Sequence, residues 1–235
     1  GTLIGQTQAV VPVSWEMSCN ICHNTPGESV ATDILKDHDR LHNTTLMNQQ
    51  PVMCASCHSD NALGTPGTPG VKSLSHAMHG AHAARLTAAN ITGAQACYTC
   101  HPGYRTTCLR DVHSQRGMDC ISCHGGMEAV ADLNRTPWLQ EPSCGSCHEA
   151  RRPAFDYEQP NTLFRNSKGH MGVQCMTCHG SPHAITPTST VADNLQALRV
   201  QGHTGTIGSG IGAARGCTAC HTTVPSDPFP HRIND

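Results

Sequence analysis

Aromatic residues are scarce in this chain of 235 residues: three Phe, three Tyr and two Trp make up only 3% of it. Charged residues reach 14%, and no run of Lys or Arg marks a surface for nucleic acid or an anionic membrane. No apolar stretch comes near the roughly 18 residues that a membrane-spanning helix needs. The 22 Gly and 15 Pro break most long helices and strands. So few large apolar side chains cannot build an ordinary core, and we expect another component to supply the apolar interior.

Cysteine and histidine are abundant instead, with 15 and 17 copies. Seven segments read Cys-x-x-Cys-His, which is the attachment signature of c-type haem, with two thiols for the porphyrin edge and a His for the iron. The cysteines are Cys19, Cys22, Cys54, Cys57, Cys97, Cys100, Cys120, Cys123, Cys144, Cys147, Cys175, Cys178, Cys217 and Cys220, and the proximal histidines are His23, His58, His101, His124, His148, His179 and His221. A zinc site needs a second Cys pair, but each pair here is followed by His. The sequence therefore predicts seven covalent haem c groups, each with one iron.

Ten other histidines are present for seven distal iron positions. We predict as distal ligands His42, His76, His79, His113, His170, His183 and His203, with His38, His82 and His231 in reserve. His38 shares a helix face with His42, and His82 shares one with His76 and His79, so His38 or His82 could replace a predicted ligand on its helix. His231 could reach a haem in another subunit. Two imidazoles on each iron leave no position for a substrate. We therefore expect an electron carrier with no catalytic residues. The odd cysteine, Cys108, is interpreted as a small buried residue, with iron ligation or a link between chains as alternatives.

The predicted fold is mostly irregular with short α-helices, and the haems thread through it and form its core. Residues 1–18 are predicted to be an apolar amino-terminal arm that either packs on its own haem or contacts another subunit, and residues 19–235 a single elongated heptahaem domain. Helical spacing predicts helices over residues 31–50 and from Ser73 to Ala89. Gly and Pro predict a turn-rich loop over residues 63–70 and an irregular segment over residues 202–216.

Several segments carry a family resemblance beyond the seven motifs. They read Pro51-Val52-Met53-Cys54-Ala55-Ser56-Cys57-His58, Ser75-His76-Ala77-Met78-His79, and Gly169-His170 followed by Cys178-His179-Gly180-Ser181-Pro182-His183. In these the chain resembles the multihaem c-type cytochromes of extracellular electron transfer, from about residue 19 to residue 231. The resemblance implies a row of closely spaced haems, alternately parallel-stacked and T-shaped. Members include periplasmic shuttles, outer-surface reductases and filaments, which makes a polymeric cytochrome wire one expectation.

Alternative functions follow from the same residues. One is a multihaem reductase that acts on a small oxyanion or metal ion at a five-coordinate haem, and others are a soluble periplasmic electron shuttle and a redox subunit docked to a membrane partner. We expect as partners other redox proteins or copies of the chain, with an extracellular mineral or cell as acceptor, and no nucleic acid. The numbering begins at Gly1, so we expect a removed signal peptide and a secreted, extracellular or cell-surface protein, with the periplasm as the alternative.

Overall fold

The computed structural model describes residues 16–17, 19–103, 105–153, 155, 157–200, 220–223, 226 and 231, without the side chains of residues 196, 198 and 200. These residues form eight α-helices: α1 (Val30–His42), α2 (Leu74–Ala88), α3 (Ala94–Tyr98), α4 (Cys120–His124), α5 (Met127–Val130), α6 (Gly145–His148), α7 (Cys175–His179) and α8 (Val191–Val200). Two strands, β1 (Lys168–Gly169) and β2 (Val173–Gln174), pair antiparallel with Lys168 opposite Gln174. Single 3₁₀ turns lie at Cys19–Ile21, Leu46–Gln49, Cys54–Ser56, Ser114–Arg116, Phe164–Asn166 and His170–Gly172. The prediction of a mostly irregular fold with short helices is confirmed.

Helix α1 is capped by Ser29 at its start and by Asn43 at its end. The Ser29 hydroxyl accepts a hydrogen bond from the backbone N–H of Thr32, and so satisfies one of the free donors of the first turn. Asn43 adopts the left-handed conformation with φ of 53°, which stops the helix. Leu35 on the inner face is buried. The helix predicted over residues 31–50 is therefore too long, because α1 ends at His42. The chain continues as the 3₁₀ turn Leu46–Gln49, which packs against α1.

Helix α2 lies within one residue of its predicted limits at each end. Its N-cap is Ser73, whose hydroxyl accepts from the backbone N–H of His76. Leu86 is buried on this helix, and the short helix α5 packs against it.

The chain divides into two compact units, Gly1–Thr106 with Gly125–Trp138, and Thr107–His124 with Leu139–Asp235. Within the first, the returning segment is tied down by the Asn61 side-chain amide, which donates to the carbonyl of Pro137 at 2.9 Å. The single domain over residues 19–235 stays a prediction. Of the arm over residues 1–18, only residues 16 and 17 lie within the described part of the chain, and the segment 202–216 lies outside it.

In the second unit, the segment at residues 110–112 runs beside the segment at residues 183–189. Backbone N–H groups of Arg110 and Val112 donate to the carbonyls of His183 and Ile185 at 2.8 and 3.1 Å. The guanidinium of Arg110 also pairs with the carboxylate of Asp193 on α8, with Nε and Oδ2 at 2.6 Å. These contacts fix the backbone on either side of two histidines, His113 and His183.

Buried apolar side chains are few and small in the described part of the chain. They are Leu35, Ala55, Leu86, Ala96, Ala184 and Ala197. Burial of a Leu stabilises a fold by about 1.5–3 kcal/mol and burial of an Ala by less, so these side chains supply little of the driving force that a chain of this length needs. A core formed by haem stays a prediction. Among the helices of the described residues, none is both long and apolar enough to cross a membrane.

Candidate functional site

Each attachment motif that is described from its first cysteine forms one helical turn. In four of the motifs the backbone N–H of the His donates to the carbonyl of the first Cys, at 2.8–3.0 Å, as in His23 to Cys19 and His101 to Cys97. Two more motifs are the helices α4 and α7. Residues i, i+3 and i+4 of a helical turn share one face, so both sulfurs and the imidazole point to the same side. The spacing of the motif thus builds a three-point attachment site.

A second histidine ring faces each of the seven motif histidines. The ring centroids are 5.7–6.4 Å apart in the pairs His23 with His82, His58 with His38, His101 with His79, His124 with His183, His148 with His113, His179 with His231, and His221 with His170. The first three pairs lie within the first unit and the other four within the second. Each motif therefore has two imidazole rings beside each other, its own and one from elsewhere in the chain.

The separation within the pairs suits one metal ion between two imidazoles. A metal–imidazole bond is about 2.0 Å long, so two nitrogens on opposite sides of one ion lie about 4 Å apart and their ring centres about 6 Å apart. In the pair of His221 and His170 the two Nε2 atoms point at each other across 3.5 Å. The donor set and its spacing thus fit a bis-imidazole iron.

Four of the predicted distal ligands face a motif histidine: His79, His113, His170 and His183. The three reserve residues, His38, His82 and His231, face the remaining ones, and His231 does so within its own chain. His203 lies outside the described residues. The distal set stays a prediction, but the ring pairing favours His38 over His42 and His82 over His76.

The contacts of the His76 and His42 rings explain why these two predicted ligands do not face a motif histidine. The His76 ring is buried and its Nε2 donates to the carbonyl of Arg135 at 3.0 Å, which uses the nitrogen that would otherwise be free to bind iron. The His42 ring is exposed at the end of α1 and packs against His38, with ring centroids 4.8 Å apart. His38 is the one of the two that faces His58.

Hydrogen bonds from Nδ1 to an oxygen acceptor orient five of the paired rings. The acceptors are the carbonyl of Lys72 for His58 at 2.7 Å, that of Ser75 for His79 at 2.8 Å, that of Met78 for His82 at 2.7 Å, the hydroxyl of Thr44 for His38 at 2.9 Å, and the carboxylate of Asp111 for His113 at 2.9 Å. An acceptor at Nδ1 fixes the proton there and leaves the lone pair on Nε2, where a metal binds. On α2 the carbonyls come from residues four positions earlier. These acceptors were not predicted from the sequence, although the spacing Asp111-x-His113 indicates a carboxylate close to a histidine ring.

Burial sets the charge state of the candidate ligands. Desolvation, reinforced by the nearby His231 and His148 rings, lowers the pKa of His179 to about 4, and desolvation also lowers the pKa of His38 and His79. These rings are therefore neutral at neutral pH and carry a free lone pair.

Desolvation raises the pKa of the Cys144 thiol to about 12, with a contribution from the Glu158 carboxylate. Burial likewise raises the pKa of Cys19, Cys54, Cys100, Cys123, Cys175 and Cys178. A thiol whose pKa is raised is a poorer zinc ligand, because zinc binds the thiolate.

A tight loop supports the second motif. The predicted turn-rich segment folds back so that the backbone N–H of Thr68 donates to the carbonyl of Cys57 at 2.7 Å. Gly67, with φ of 66°, lies so close that a Cβ there would be 2.3 Å from the backbone nitrogen of Ser59. Only glycine fits this position, because it has no Cβ and adopts positive φ readily.

Apolar side chains are exposed beside the attachment points. Ile21 and Ile121 occupy x positions of their motifs and are 59% and 38% exposed. Exposed large apolar side chains carry a solvation cost unless another apolar body covers them. Their position suits contact with a large flat apolar group held by the neighbouring cysteines.

Cys108 is half-buried, and its Sγ lies 3.7 Å from Nδ1 of His183. It is therefore not simply an apolar filler, because it contacts a ring that faces His124. Direct ligation of iron by Cys108 is not needed for that pair, since both of its positions have an imidazole.

Residues 112–188 match the model of the cytochrome c3 family. The matched segment contains three motifs, Cys120–His124, Cys144–His148 and Cys175–His179, together with His113, His170 and His183. No curated protein and no solved structure matches the chain. The family match supports a multihaem c-type cytochrome that binds haem c and takes part in electron transfer.

Proposed function

We propose that this chain is an electron carrier without enzymatic activity, in which seven haem c groups are each held by two cysteines and two histidines. The observation that carries the proposal is that every motif histidine is faced by one further histidine ring at 5.7–6.4 Å. Seven such pairs use 14 of the 17 histidines in the chain and leave His42, His76 and His203 over.

Cysteines and histidines would have different roles in holding the cofactor. The motif cysteines would bind each haem covalently, and the paired imidazoles would both bind its iron and so keep substrates away from it. When bound, each haem supplies a one-electron ferric–ferrous couple. Acceptors such as the Ser75 and Met78 carbonyls hold the rings at Nδ1, so the ligands keep their orientation when the charge changes.

We place the protein outside the cytoplasm, because haem is attached covalently to such motifs outside the inner membrane. Its partners on this proposal are other redox proteins or further copies of the chain, and an extracellular mineral or cell is the candidate final acceptor. The amino-terminal arm over residues 1–18 favours a polymeric wire. Electron microscopy of the purified holoprotein separates a filament from a discrete carrier.

The decisive experiment combines haem counting with ligand binding on the holoprotein. We expect the intact mass to exceed that of the polypeptide by seven haems, and the ferric and ferrous spectra to be entirely low-spin. Carbon monoxide added to the reduced protein should bind to less than one haem per chain. A count below seven contradicts the stoichiometry, and one full equivalent of bound carbon monoxide would instead favour the reductase with a five-coordinate haem.

A further inference from the structure

Asp111 is a buried carboxylate with an unusual set of partners. It is 3% exposed, and its Oδ1 accepts from the backbone N–H groups of His113 and Ser114, both at 2.9 Å. Its Oδ2 accepts from Nδ1 of the His113 ring, also at 2.9 Å. No Lys or Arg in the described part of the chain forms an ion pair with it. The negative charge is therefore held by neutral donors and by the imidazole alone.

Four other rings have a described oxygen acceptor at Nδ1, and it is neutral in each; Nδ1 of His183 contacts the Cys108 sulfur instead. His58, His79 and His82 donate to carbonyls, and His38 donates to the Thr44 hydroxyl. His23 has Asp33 nearby, but the closest nitrogen–oxygen distance is 3.8 Å, which is too long for a hydrogen bond. Of these rings, His113 is the one whose partner is a carboxylate at hydrogen-bond distance.

A carboxylate that accepts from Nδ1 changes the strength with which the imidazole binds a metal ion and the oxidation state that the metal ion prefers. It draws the ring proton towards itself, which raises the basicity of the ligating nitrogen. Its full negative charge also favours the more positive oxidation state of a nearby iron, and burial weakens the screening of that charge by water. Both effects act in the same direction, towards the ferric state.

We infer that Asp111 is a positioning residue that, through His113, lowers the reduction potential of the haem attached at Cys144 and Cys147 relative to haems whose histidines donate to neutral oxygens. The inference rests on the proposed function. Reduction of this centre adds one electron to the iron, while the Nδ1 proton stays on His113 and no bond forms or breaks. Asp111 thus makes one centre of the second unit the harder one to reduce.

The test is a spectroelectrochemical titration of the Asp111→Asn holoprotein against wild type. The amide oxygen of Asn can still accept from the two backbone N–H groups, so the turn at residues 111–114 is kept while the charge is lost. Electron paramagnetic resonance at each potential follows the ferric signal of the affected haem. We expect one of the seven one-electron steps to move to higher potential, with its equilibrium constant for reduction raised about tenfold, which is about 59 mV for one electron.

Asp119→Asn is the matched control. Asp119 lies in the same unit, next to the motif Cys120–His124, and its Oδ1 accepts from the N–H and hydroxyl of Ser122 but from no imidazole in the bonds described. It should move no step by more than a small fraction of the Asp111 effect. Equal shifts in both variants, or unchanged potentials in Asp111→Asn, would overturn the inference. A high-spin haem in Asp111→Asn would also overturn it, because the aspartate would then be needed for ligation itself.

Measurements on wild type and on Asp111→Asn distinguish failure of the proposed function from failure of the inference about Asp111. If wild type carries fewer than seven low-spin haems, the proposed function fails. If all seven are present and low-spin but Asp111→Asn leaves every step in place, the inference about Asp111 fails alone.

Discussion

Replacement of His38 by alanine should open one haem in seven, whereas replacement of His42, one helical turn away, should open none. The two residues share helix α1, but only the His38 ring faces the motif histidine His58, with centroids 6.3 Å apart. His42 is exposed and touches His38 instead. The pair is therefore a matched test of which ring ligates iron.

The size of the effect follows from the count of pairs. In His38→Ala, about one seventh of the haem absorption should become high-spin, and the reduced protein should bind one carbon monoxide per chain. Added imidazole should restore the low-spin spectrum, because it replaces the missing ligand. The loss of the bond between His38 and the Thr44 hydroxyl should by itself lower the free energy of unfolding by about 1 kcal/mol, and the haem would stay attached through Cys54, Cys57 and His58, so the variant should fold.

The double variant His38→Ala/His42→Ala removes the neighbouring ring as a substitute ligand. If His38→Ala stays low-spin while the double variant binds carbon monoxide, His42 has taken the position in the single variant. If His42→Ala alone binds carbon monoxide and His38→Ala does not, the reasoning from ring pairing is refuted.

Two further predictions concern the first unit. On helix α2, His82→Ala should give a haem that binds carbon monoxide, because the His82 ring faces the motif histidine His23. His76→Ala should stay low-spin, but its free energy of unfolding should fall by about 1–3 kcal/mol, since the Arg135 carbonyl loses its buried donor. A high-spin haem in His76→Ala would contradict this prediction. Glu16 accepts hydrogen bonds from Thr106 and from the backbone N–H groups of Arg105 and Gly103, which together lower its pKa from 4.5 to about 2. Its folded-state pKa is depressed, so its stabilising contribution is complete above about pH 4.5 and is lost as the pH falls towards 2. Thermal unfolding between these pH values should depend less on pH in Glu16→Gln than in wild type, and identical profiles would argue against this role.

The attachment sites could be predicted because they are local. A Cys-x-x-Cys-His segment contains both its thiols and its imidazole within one helical turn, so sequence spacing determines the geometry. The starts of α1 and α2 could be predicted for the same reason, since Ser29 and Ser73 cap turns that follow directly. Helix α1 ends at His42, well before the predicted limit of residue 50, because Asn43 adopts the left-handed conformation, which helical periodicity does not register.

The distal partners could not be chosen from the sequence, because the choice depends on distant backbone. His76, His79 and His82 share a helix and look equivalent along it. The difference comes from the carbonyl of Arg135, which engages Nε2 of His76 from 59 residues away. His231 was equally hard to assign, because its partner His179 lies on α7, far back along the chain. Such contacts appear only once the segments are assembled.

The discontinuous make-up of the first unit has a consequence for how the protein matures. The chain leaves that unit after Thr106 and returns to it at Gly125. A polypeptide that emerges amino terminus first therefore presents the motifs at Cys19, Cys54 and Cys97 before α5 is available to pack on α2. Until residues 127–137 have emerged, the packing of α5 on α2 and the hydrogen bond from Asn61 to the Pro137 carbonyl cannot form. The first unit is therefore completed by a segment that follows its last attachment motif, Cys97–His101, by more than twenty residues.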